Sequence, residues 1–295
     1  MYYGSIEAGG TKMICAIGDE NGNILDRFTT PTKTPGETVP LMLSYFMKKA
    51  KEGMKISSLG IACFGPIDLN KSSDTYGYIT TTPKTAWMNY DIVGEFRDTL
   101  EVPVGFDTDV NGSLLGEVTW GSSKGLTDVV YLTIGTGVGG GIMSGGNLVH
   151  GMMHPETGHI LIRPVASDPY PGRCPFHNNC LEGMASGPAI GERWGKPAAE
   201  LMDKQEVWEL ESDYIAQALM SYILILSPQR IILGGGVMHQ EQMFDLVRAK
   251  VKEKLNGYIQ TSELDNMEDY IVPASLNDDQ GIMGGIKLAM DALES

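Results

Sequence analysis

Four residues in one irregular segment have the types and spacing of metal ligands. Fourteen residues separate His159 from Cys174, and His177 and Cys180 then follow at equal three-residue steps. Two thiolates and two imidazoles make a closed tetrahedral set with no position left for water, which is typical of a structural zinc site. Paired loop cysteines in a reducing compartment are more often metal ligands than a disulfide. The spacing therefore predicts bound Zn²⁺; the alternative is a loop of unrelated His and Cys residues.

Glycine-rich turns follow three apolar runs that are typical of β-strands. The turns and their neighbours comprise Gly9, Gly10, Thr11, Lys12, Thr133, Gly135, Thr136, Gly137, Gly234, Gly235 and Gly236. Glycine lets consecutive backbone N–H groups approach a phosphate, and threonine hydroxyls add further donors. None of the turns has the Walker or Rossmann pattern. Three such turns at strand ends nevertheless predict phosphate binding.

Asp109 is the candidate general base, because it follows an apolar strand and opens a helix. Phosphoryl transfer requires an aligned hydroxyl, a carboxylate to take its proton and charge neutralisation at the γ-phosphate. The alternative is that Asp107 or Asp109 only caps the helix. Spacing alone does not separate these two interpretations.

Alternating strands and helices must position these residues, which indicates an α/β fold. Residues 2–25 and 129–149 each read as strand, glycine turn, strand, tight turn and strand. This repeat predicts two related lobes, each offering one glycine turn to a shared cleft; the alternative is coincidence between two hairpins. The first lobe is expected to comprise residues 1–118 and the second residues 119–280. The final helix, 281–295, could join the first lobe. Other helices are expected at 39–51, 92–100, 112–120, 182–194, 198–203, 212–226 and 240–255, and strands at 59–64, 102–106 and 230–233.

Composition narrows the function classes. The chain of 295 residues has 22 basic and 37 acidic residues, a formal net charge of −15. This charge disfavours nucleic acid and anionic membranes as partners. The N-terminus lacks the pattern of a signal peptide, and no apolar run is long enough for a membrane span. We therefore expect a cytoplasmic protein, in which backbone dipoles or a metal ion would offset the charge of a bound nucleotide.

The combination resembles the ROK family of sugar kinases and regulators, within the two-lobed actin-like ATPase (ribonuclease H-like) fold, over nearly the whole chain. The segments that carry the resemblance are 7–12, 108–111, 133–137, 156–159, 187–190 and 233–238. Glu7 stands where most members have Asp, and the form Glu-Ala-Gly-Gly-Thr-Lys looks like the fructokinase branch. Thr108 stands where the family usually has Asn, and His177 where it usually has Cys.

The resemblance implies roles for individual residues. Asp109 would be the general base, and His159 would give one ring nitrogen to zinc and the other to the sugar. The other implied sugar-binding residues are Gly65, Asn89, Thr108, Glu156 and Glu182. ATP would be bound by the glycine turns together with Pro188, Val237, Met238 and His239. The resemblance also implies Mg²⁺ with the ATP, and a homodimer.

The expected function is that of an ATP-dependent hexose kinase, a fructokinase that makes fructose 6-phosphate. A kinase for mannose or glucose is one alternative. A sugar-sensing regulator is another, but regulators carry a helix-turn-helix ahead of the sugar domain, and the first strand here begins at Tyr2. A zinc hydrolase is disfavoured because four protein ligands leave no open metal position.

Overall fold

The computed structural model describes residues 1–294, whose strands form two five-stranded sheets and one two-stranded sheet. The strands are β1 (Tyr3–Ala8), β2 (Lys12–Gly18), β3 (Ile24–Pro31), β4 (Ser58–Cys63), β5 (Tyr78–Ile79), β6 (Tyr90–Asp91), β7 (Val104–Thr108), β8 (Val129–Ile134), β9 (Val138–Ser144), β10 (Asn147–Leu148), β11 (Arg230–Gly234) and β12 (Ile271–Pro273). Most of the long strands are apolar and buried along their whole length, as expected for sheets that are covered on both faces.

Helices connect the strands and cover the sheets. They are α1 (Pro35–Lys51), α2 (Ile92–Leu100), α3 (Asp109–Thr119), α4 (Leu181–Ala185), α5 (Gly187–Trp194), α6 (Gln205–Leu226), α7 (Gln242–Leu255), α8 (Ser262–Asp265), α9 (Met267–Tyr270) and α10 (Gln280–Glu294). Short 3₁₀ turns occur at Thr85–Trp87, Thr157–His159, Ala198–Glu200 and Gly236–His239. Within residues 1–294, no helix combines the length and the apolar character that crossing a bilayer requires.

The chain divides into two compact units. Unit 1 comprises residues 1–125, 148–155 and 275–294, and unit 2 comprises residues 126–147 and 156–274. The lobe bounds expected from the sequence, 1–118 and 119–280, stay a prediction.

Unit 1 is built on a five-stranded sheet in the order β3-β2-β1-β4-β7. The β1–β2 and β2–β3 pairs are antiparallel, whereas β1–β4 and β4–β7 are parallel. Helix α10 packs against β1, β4 and α3. The core of this unit buries Met42, Trp87 and Phe96 with other apolar residues of β1, β2, β4 and α1. Strand β7 passes directly into α3. The N-terminus of α3 therefore lies at the carboxyl edge of the parallel strands β1, β4 and β7.

Unit 2 repeats the same plan. Its sheet has the order β10-β9-β8-β11-β12, with β8–β9 antiparallel and β8–β11–β12 parallel. The long helix α6 packs against α7 and α4. The predicted duplication of a strand–turn–strand–turn–strand unit is therefore confirmed, since β1, β2 and β3 match β8, β9 and β10 in position and pairing.

Two predicted helices do not form as single helices, and α6 begins at Gln205, seven residues before the predicted helix 212–226. The segment predicted as one helix over 182–194 is two helices, because Ser186 ends α4 and its Oγ caps α5 by accepting a hydrogen bond from the Ala189 amide. The helix predicted over 198–203 is wrong, since only a 3₁₀ turn forms at Ala198–Glu200. The predicted helix 92–100 is confirmed with the same bounds, and Asp91 caps it through the Gly94 amide.

Candidate active site

The first glycine turn joins β1 to β2 in unit 1. It is closed by a hydrogen bond of 3.1 Å from the Gly9 amide to the Lys12 carbonyl. Thr32 fixes the turn from the side, because its hydroxyl donates to the Gly9 carbonyl at 2.7 Å and its amide to the Thr11 carbonyl at 2.9 Å. The side chains of Thr11 and Lys12 are exposed. The turn is thus a fixed backbone loop whose outer face is open to solvent.

Lys84 is a basic residue at this turn that the sequence did not single out. A Cβ atom built on Gly10 would lie 2.8 Å from Lys84 Cε and 3.5 Å from its Nζ. Any larger residue at position 10 would therefore displace the lysine. The only sequence signal for Lys84 is a positive charge in a polar segment, and this gives no indication of where its side chain lies.

Glu7 lies on β1 just before this turn. Its Oε2 is shielded from solvent and has no hydrogen-bond partner within residues 1–294. Burial and, to a smaller extent, the charge of Asp109 raise the pKa of Glu7 to about 7, although Lys12 opposes both effects. A Cβ atom on Gly281 would lie 2.8 Å from the Glu7 Cδ, so glycine at the start of α10 leaves room for this carboxyl group. Glu7 is therefore a carboxyl group that can gain or lose a proton near neutral pH.

Asp109 is the first residue of α3, and the helix is capped by the residue before it. Thr108 is the N-cap, since its Oγ1 accepts a hydrogen bond of 3.1 Å from the Asn111 amide. Asp109 Oδ1 accepts from the Val110 amide at 2.9 Å, and its side chain is only partly buried. A carboxylate at a helix N-terminus is stabilised in its charged form. Asp109 is thus an accessible carboxylate that is not needed to cap the helix.

Two other predicted sugar residues also lie in unit 1. Gly65 follows β4 and precedes a cis peptide bond to Pro66. A Cβ atom on Gly65 would lie 3.2 Å from the ring of His154, so a larger residue would press on that histidine. Asn89 has a φ of 58°, a left-handed conformation that asparagine tolerates better than most residues. Limited space beside His154 therefore favours glycine at position 65, whereas backbone conformation favours asparagine at position 89.

The second glycine turn joins β8 to β9 in unit 2, and two other predicted nucleotide segments meet it. The Gly135 amide donates to the Gly137 carbonyl at 2.9 Å, and the Gly187 amide donates to the Gly135 carbonyl at 2.8 Å. Pro188 is in the first turn of α5. A Cβ atom on Gly135 would lie 3.7 Å from the Gly236 amide nitrogen. The structure thus brings the 133–137, 187–190 and 234–239 segments together.

The third turn depends on a glycine with a positive φ. Gly235 has a φ of 87°, and a Cβ atom there would lie 2.5 Å from the Ile134 carbonyl oxygen. Val237 and Met238 behind it are buried, whereas Gly236 and His239 are exposed. Backbone amides and apolar side chains at one place suit the phosphates and the base of a nucleotide.

The predicted sugar carboxylates of unit 2 differ in their surroundings. Glu182 Oε2 accepts a hydrogen bond of 3.0 Å from the Val138 amide, which fixes it beside the second glycine turn. Glu156 is exposed, and its carbonyl accepts from the His159 amide in a 3₁₀ turn. Thr157 in this turn is anchored from α6, because the Tyr222 hydroxyl donates to its carbonyl at 2.7 Å. The turn that carries Glu156 and His159 is therefore rigidly attached.

The four predicted metal ligands also converge in unit 2. Their ligand atoms all lie within 4.8 Å of one another. His159 Nδ1 is 3.8 Å from Cys174 Sγ and 3.5 Å from Cys180 Sγ, and His177 Nδ1 is 3.7 Å from Cys174 Sγ. All four cysteines of the chain are free thiols. The predicted cluster is confirmed as a group of side chains that could hold a metal ion.

The spacing of these atoms fits a tetrahedral ion. Bonds of about 2.1 Å to nitrogen and 2.3 Å to sulfur at tetrahedral angles hold the two atoms about 3.6 Å apart, close to the separations found here. Both cysteines are buried, while His177 is exposed. Because His159 turns its Nδ1 to the cluster, its Nε2 is the nitrogen left for another partner.

Sequence reasoning missed two histidines in the segment 148–155 of unit 1. His150 Nε2 lies 2.9 Å from Asp107 Oδ2, and His154 Nε2 accepts a hydrogen bond of 3.2 Å from the Ile67 amide. The bond to Asp107 raises the pKa of His150, and burial opposes it. A possible signal was the pair His150-x₃-His154 just before Glu156, but its partners are far away in the sequence.

Comparison with known proteins adds to this geometry. The model of the ROK family matches residues 3–292. A protein of Bacillus subtilis (strain 168) is 50% identical over 293 residues, covering 99% of this chain and 96% of the relative. A fructokinase of Pediococcus pentosaceus is 43% identical over 295 residues and covers 100% of both chains. Relatives named glucokinase are more distant, at 25 to 26% identity.

The fold is shared with solved structures. The ROK hexokinase from Thermus thermophilus superposes with a TM-score of 0.81 at 22% identity, over 100% of this chain and 99% of the other. With a family model that spans the chain and relatives of this identity along its full length, the chain belongs to the ROK family.

Proposed function

We propose that the chain is an ATP-dependent fructokinase, which transfers the γ-phosphoryl group of ATP to fructose and makes fructose 6-phosphate. The observation that carries this proposal is the 42 to 45% identity to several fructokinases, three of which match over nearly the whole chain. The glycine turns and the accessible carboxylate of Asp109 supply the parts that phosphoryl transfer needs.

The alternatives are less well supported. Glucokinases share only 25 to 26% of their residues with this chain, so glucose is disfavoured as the main substrate. The structure of a ROK transcriptional regulator is similar in fold, but at 20% identity this likeness concerns the fold alone. A kinase therefore accounts for the chain better than a sensor.

Asp109 acts as the general base. Its carboxylate accepts the proton of the sugar hydroxyl, whose oxygen forms a bond to the γ-phosphorus of ATP. The bond from that phosphorus to the bridging oxygen breaks, and ADP leaves with the electron pair. Because Thr108 caps α3, the carboxylate of Asp109 is not required as the helix cap.

Each unit carries predicted ATP-binding residues. In unit 1 the backbone of Gly9, Gly10 and Thr11, with Lys12, would bind phosphate oxygens. In unit 2 the 133–137 turn would do the same, while Pro188, Gly234–Gly236 and Val237–His239 would hold the adenosine. Backbone N–H groups of glycine-rich turns can bind anions in spite of the net charge of −15. Mg²⁺ would neutralise the β- and γ-phosphates, and Glu7, with an unpaired oxygen, suits a water-mediated contact to it.

Each unit carries predicted sugar-binding residues. In unit 1 these are Gly65, Asn89 and Thr108, and in unit 2 they are Glu156, His159 and Glu182. Zn²⁺ in the Cys/His cluster fits the four ligand positions, and its role would be to fix the tautomer and the direction of His159. A homodimer and a cytoplasmic location stay predictions.

A coupled assay of ADP release tests the proposal directly. The purified chain with MgATP is offered fructose, mannose, glucose and N-acetylated hexosamines, and the zinc content of the same sample is measured. We expect the highest kcat/KM for fructose and about one zinc per chain, as the four-ligand set implies. Higher kcat/KM for another hexose would overturn the substrate assignment, and sugar binding without any turnover would favour a sensor.

A further inference from the structure

Beside Asp109 lies a hydrogen-bonded group that the mechanism above does not use. Asp107, at the end of β7, is buried with 3% of its surface exposed. It accepts from three donors: the Thr108 amide at 2.7 Å, Asn111 Nδ2 at 2.7 Å and His150 Nε2 at 2.9 Å. The two carboxylates are two residues apart, so this group and the general base share one strand–helix junction.

Asn111 is a buried member of this group that contacts Asp107. The side chain is buried, and its Oδ1 has no hydrogen-bond partner within residues 1–294. Leaving a buried acceptor unpaired is unfavourable, because the acceptor has lost its hydrogen bonds to water. The amide nitrogen instead faces Asp107, and the same atom is 3.4 Å from His150 Nε2. Asn111 therefore gives up one hydrogen bond while it holds Asp107 in place.

His150 is the accessible member of the group. Its side chain is 37% exposed, whereas that of Asp107 is 5% exposed. The Asp107 carboxylate accepts a hydrogen bond from the Nε2–H group of the ring and so determines the tautomer. Nδ1 is then the ring nitrogen that can bind another partner. A neutral ring accepts at Nδ1 and a protonated ring donates there, so a hydroxyl group can pair with either form.

The segment that carries His150 is fastened at a second point. His154 is buried and accepts a hydrogen bond from the Ile67 amide, in the loop that also contains Gly65. The segment 148–155 is thus tied both to the start of α3 and to the loop after β4. Two attachments four residues apart restrict where the ring of His150 can point.

We propose that His150 is a sugar-binding residue, and that Asp107 is the positioning residue that orients it. This inference rests on the proposed kinase function. The exposed edge of the ring would hydrogen-bond a hydroxyl of the hexose, close to the one that Asp109 deprotonates. Asp107 would act only through His150 and would not touch the sugar.

Steady-state kinetics of four variants test this inference. His150→Ala should raise the KM for fructose about tenfold or more, the value of one lost hydrogen bond to a substrate hydroxyl. The KM for ATP should change less than about twofold. His150→Gln should recover part of the loss, because its amide can both donate and accept. Asp107→Asn should raise the fructose KM by a smaller factor, since the ring would then adopt the other tautomer. Asp98→Asn, on the exposed side of α2, is the matched control and should leave both KM values unchanged.

Two further measurements separate the possible outcomes. Calorimetric titration of fructose without ATP should show the same loss of affinity in His150→Ala, and thermal unfolding identifies any variant that fails to fold. An active wild-type protein with an unchanged fructose KM in His150→Ala would overturn this inference and leave the kinase function intact. A wild-type protein that does not phosphorylate fructose would instead refute the proposed function itself.

Discussion

The hairpins β1–β2 and β8–β9 have the same frame but carry different chemistry. In each, the first strand pairs antiparallel with the second and parallel with a later strand, and a glycine turn closed by a backbone hydrogen bond joins the two. The fifth residue of β1 is Glu7, whereas the fifth residue of β8 is Thr133. An ionisable side chain in one unit therefore corresponds to a neutral hydroxyl in the other.

The elements around the hairpins extend this difference. Unit 1 places Asp107 and Asp109 at the end of β7 and start of α3, close enough for Asp109 to raise the pKa of Glu7. Around its own turn, unit 2 places backbone amides, one fixed carboxylate and the Cys/His cluster. The comparison teaches that the duplicated frame supplies a glycine turn in each unit, while the carboxylate proposed as the general base belongs to unit 1.

Replacing the general base should give the largest effect. Asp109→Asn keeps the size of the side chain and its hydrogen bond to the Val110 amide, but removes the proton acceptor. We expect kcat to fall by about 10²–10⁴-fold, the usual contribution of a general base, with fructose affinity in calorimetry nearly unchanged. Asp98→Asn is the control for loss of a carboxylate elsewhere. Near-normal turnover in Asp109→Asn would refute the proton-transfer role of unit 1.

Loss of a metal ligand should have the next largest effect, and it concerns unit 2. Cys174→Ser should abolish stoichiometric zinc and weaken fructose binding about 10-fold or more, because the metal ion that orients His159 would be lost. His177→Cys is the matched variant, since a thiolate at this position is still a zinc ligand. It should retain the metal. Unchanged zinc content and fructose affinity in Cys174→Ser would contradict the metal role.

Sequence patterns predicted the frame of both hairpins because the information is local. Apolar runs that alternate with glycine turns specify strand, turn and strand without any distant contact. The four metal ligands were found for the same reason, since three of them lie within seven residues. The break between α4 and α5 was missed because Ser186 gives only a weak capping signal inside an apolar stretch.

The site residues that were missed depend on contacts between distant segments. Asp107 and His150 are 43 positions apart, and Lys84 reaches the turn at Gly10 from a polar segment with no pattern of its own. The sequence could treat Asp107 only as a possible helix cap. The actual cap is Thr108, whose hydroxyl competes for the same helix amide, and spacing cannot decide between adjacent side chains.

Replacing Glu7 by a neutral residue tests the electrostatic difference between Glu7 and Thr133. The quantity to follow is the pH dependence of the free energy of unfolding. The pKa of Glu7 is about 7 in the folded chain and has its ordinary value of 4.5 in the unfolded chain. As pH rises, Glu7 therefore loses its proton at a lower pH when the chain is unfolded. Burial of Glu7 therefore reduces stability as pH rises from about 4.5 to 7, by up to about 3 kcal/mol. Glu7→Gln should match the wild type near pH 4 and become more stable above pH 7.

Unfolding by urea at several pH values, without nucleotide or metal, measures this difference. Glu253→Gln replaces an exposed glutamate and is the control for loss of a negative charge. A constant difference between Glu7→Gln and the wild type at all pH values would show that Glu7 ionises in the folded chain as it does when unfolded. The proposed contrast between Glu7 and Thr133 would then lose its electrostatic basis.

The smallest effect should come from the space around Glu7. Gly281→Ala places a Cβ atom 2.8 Å from the Glu7 Cδ, and crowding of this kind costs about 1–3 kcal/mol. Gly36→Ala, a helix position with no atom within 4 Å of the added Cβ, should instead be neutral or stabilise by up to about 1 kcal/mol. Glu7→Asp shortens the carboxyl side chain, so it should relieve the crowding in the double variant. Free energies of unfolding for the two single variants and the double variant measure this coupling. If the effects are simply additive, Gly281 does not make room for the longer acid, and glycine there serves only the packing of α10.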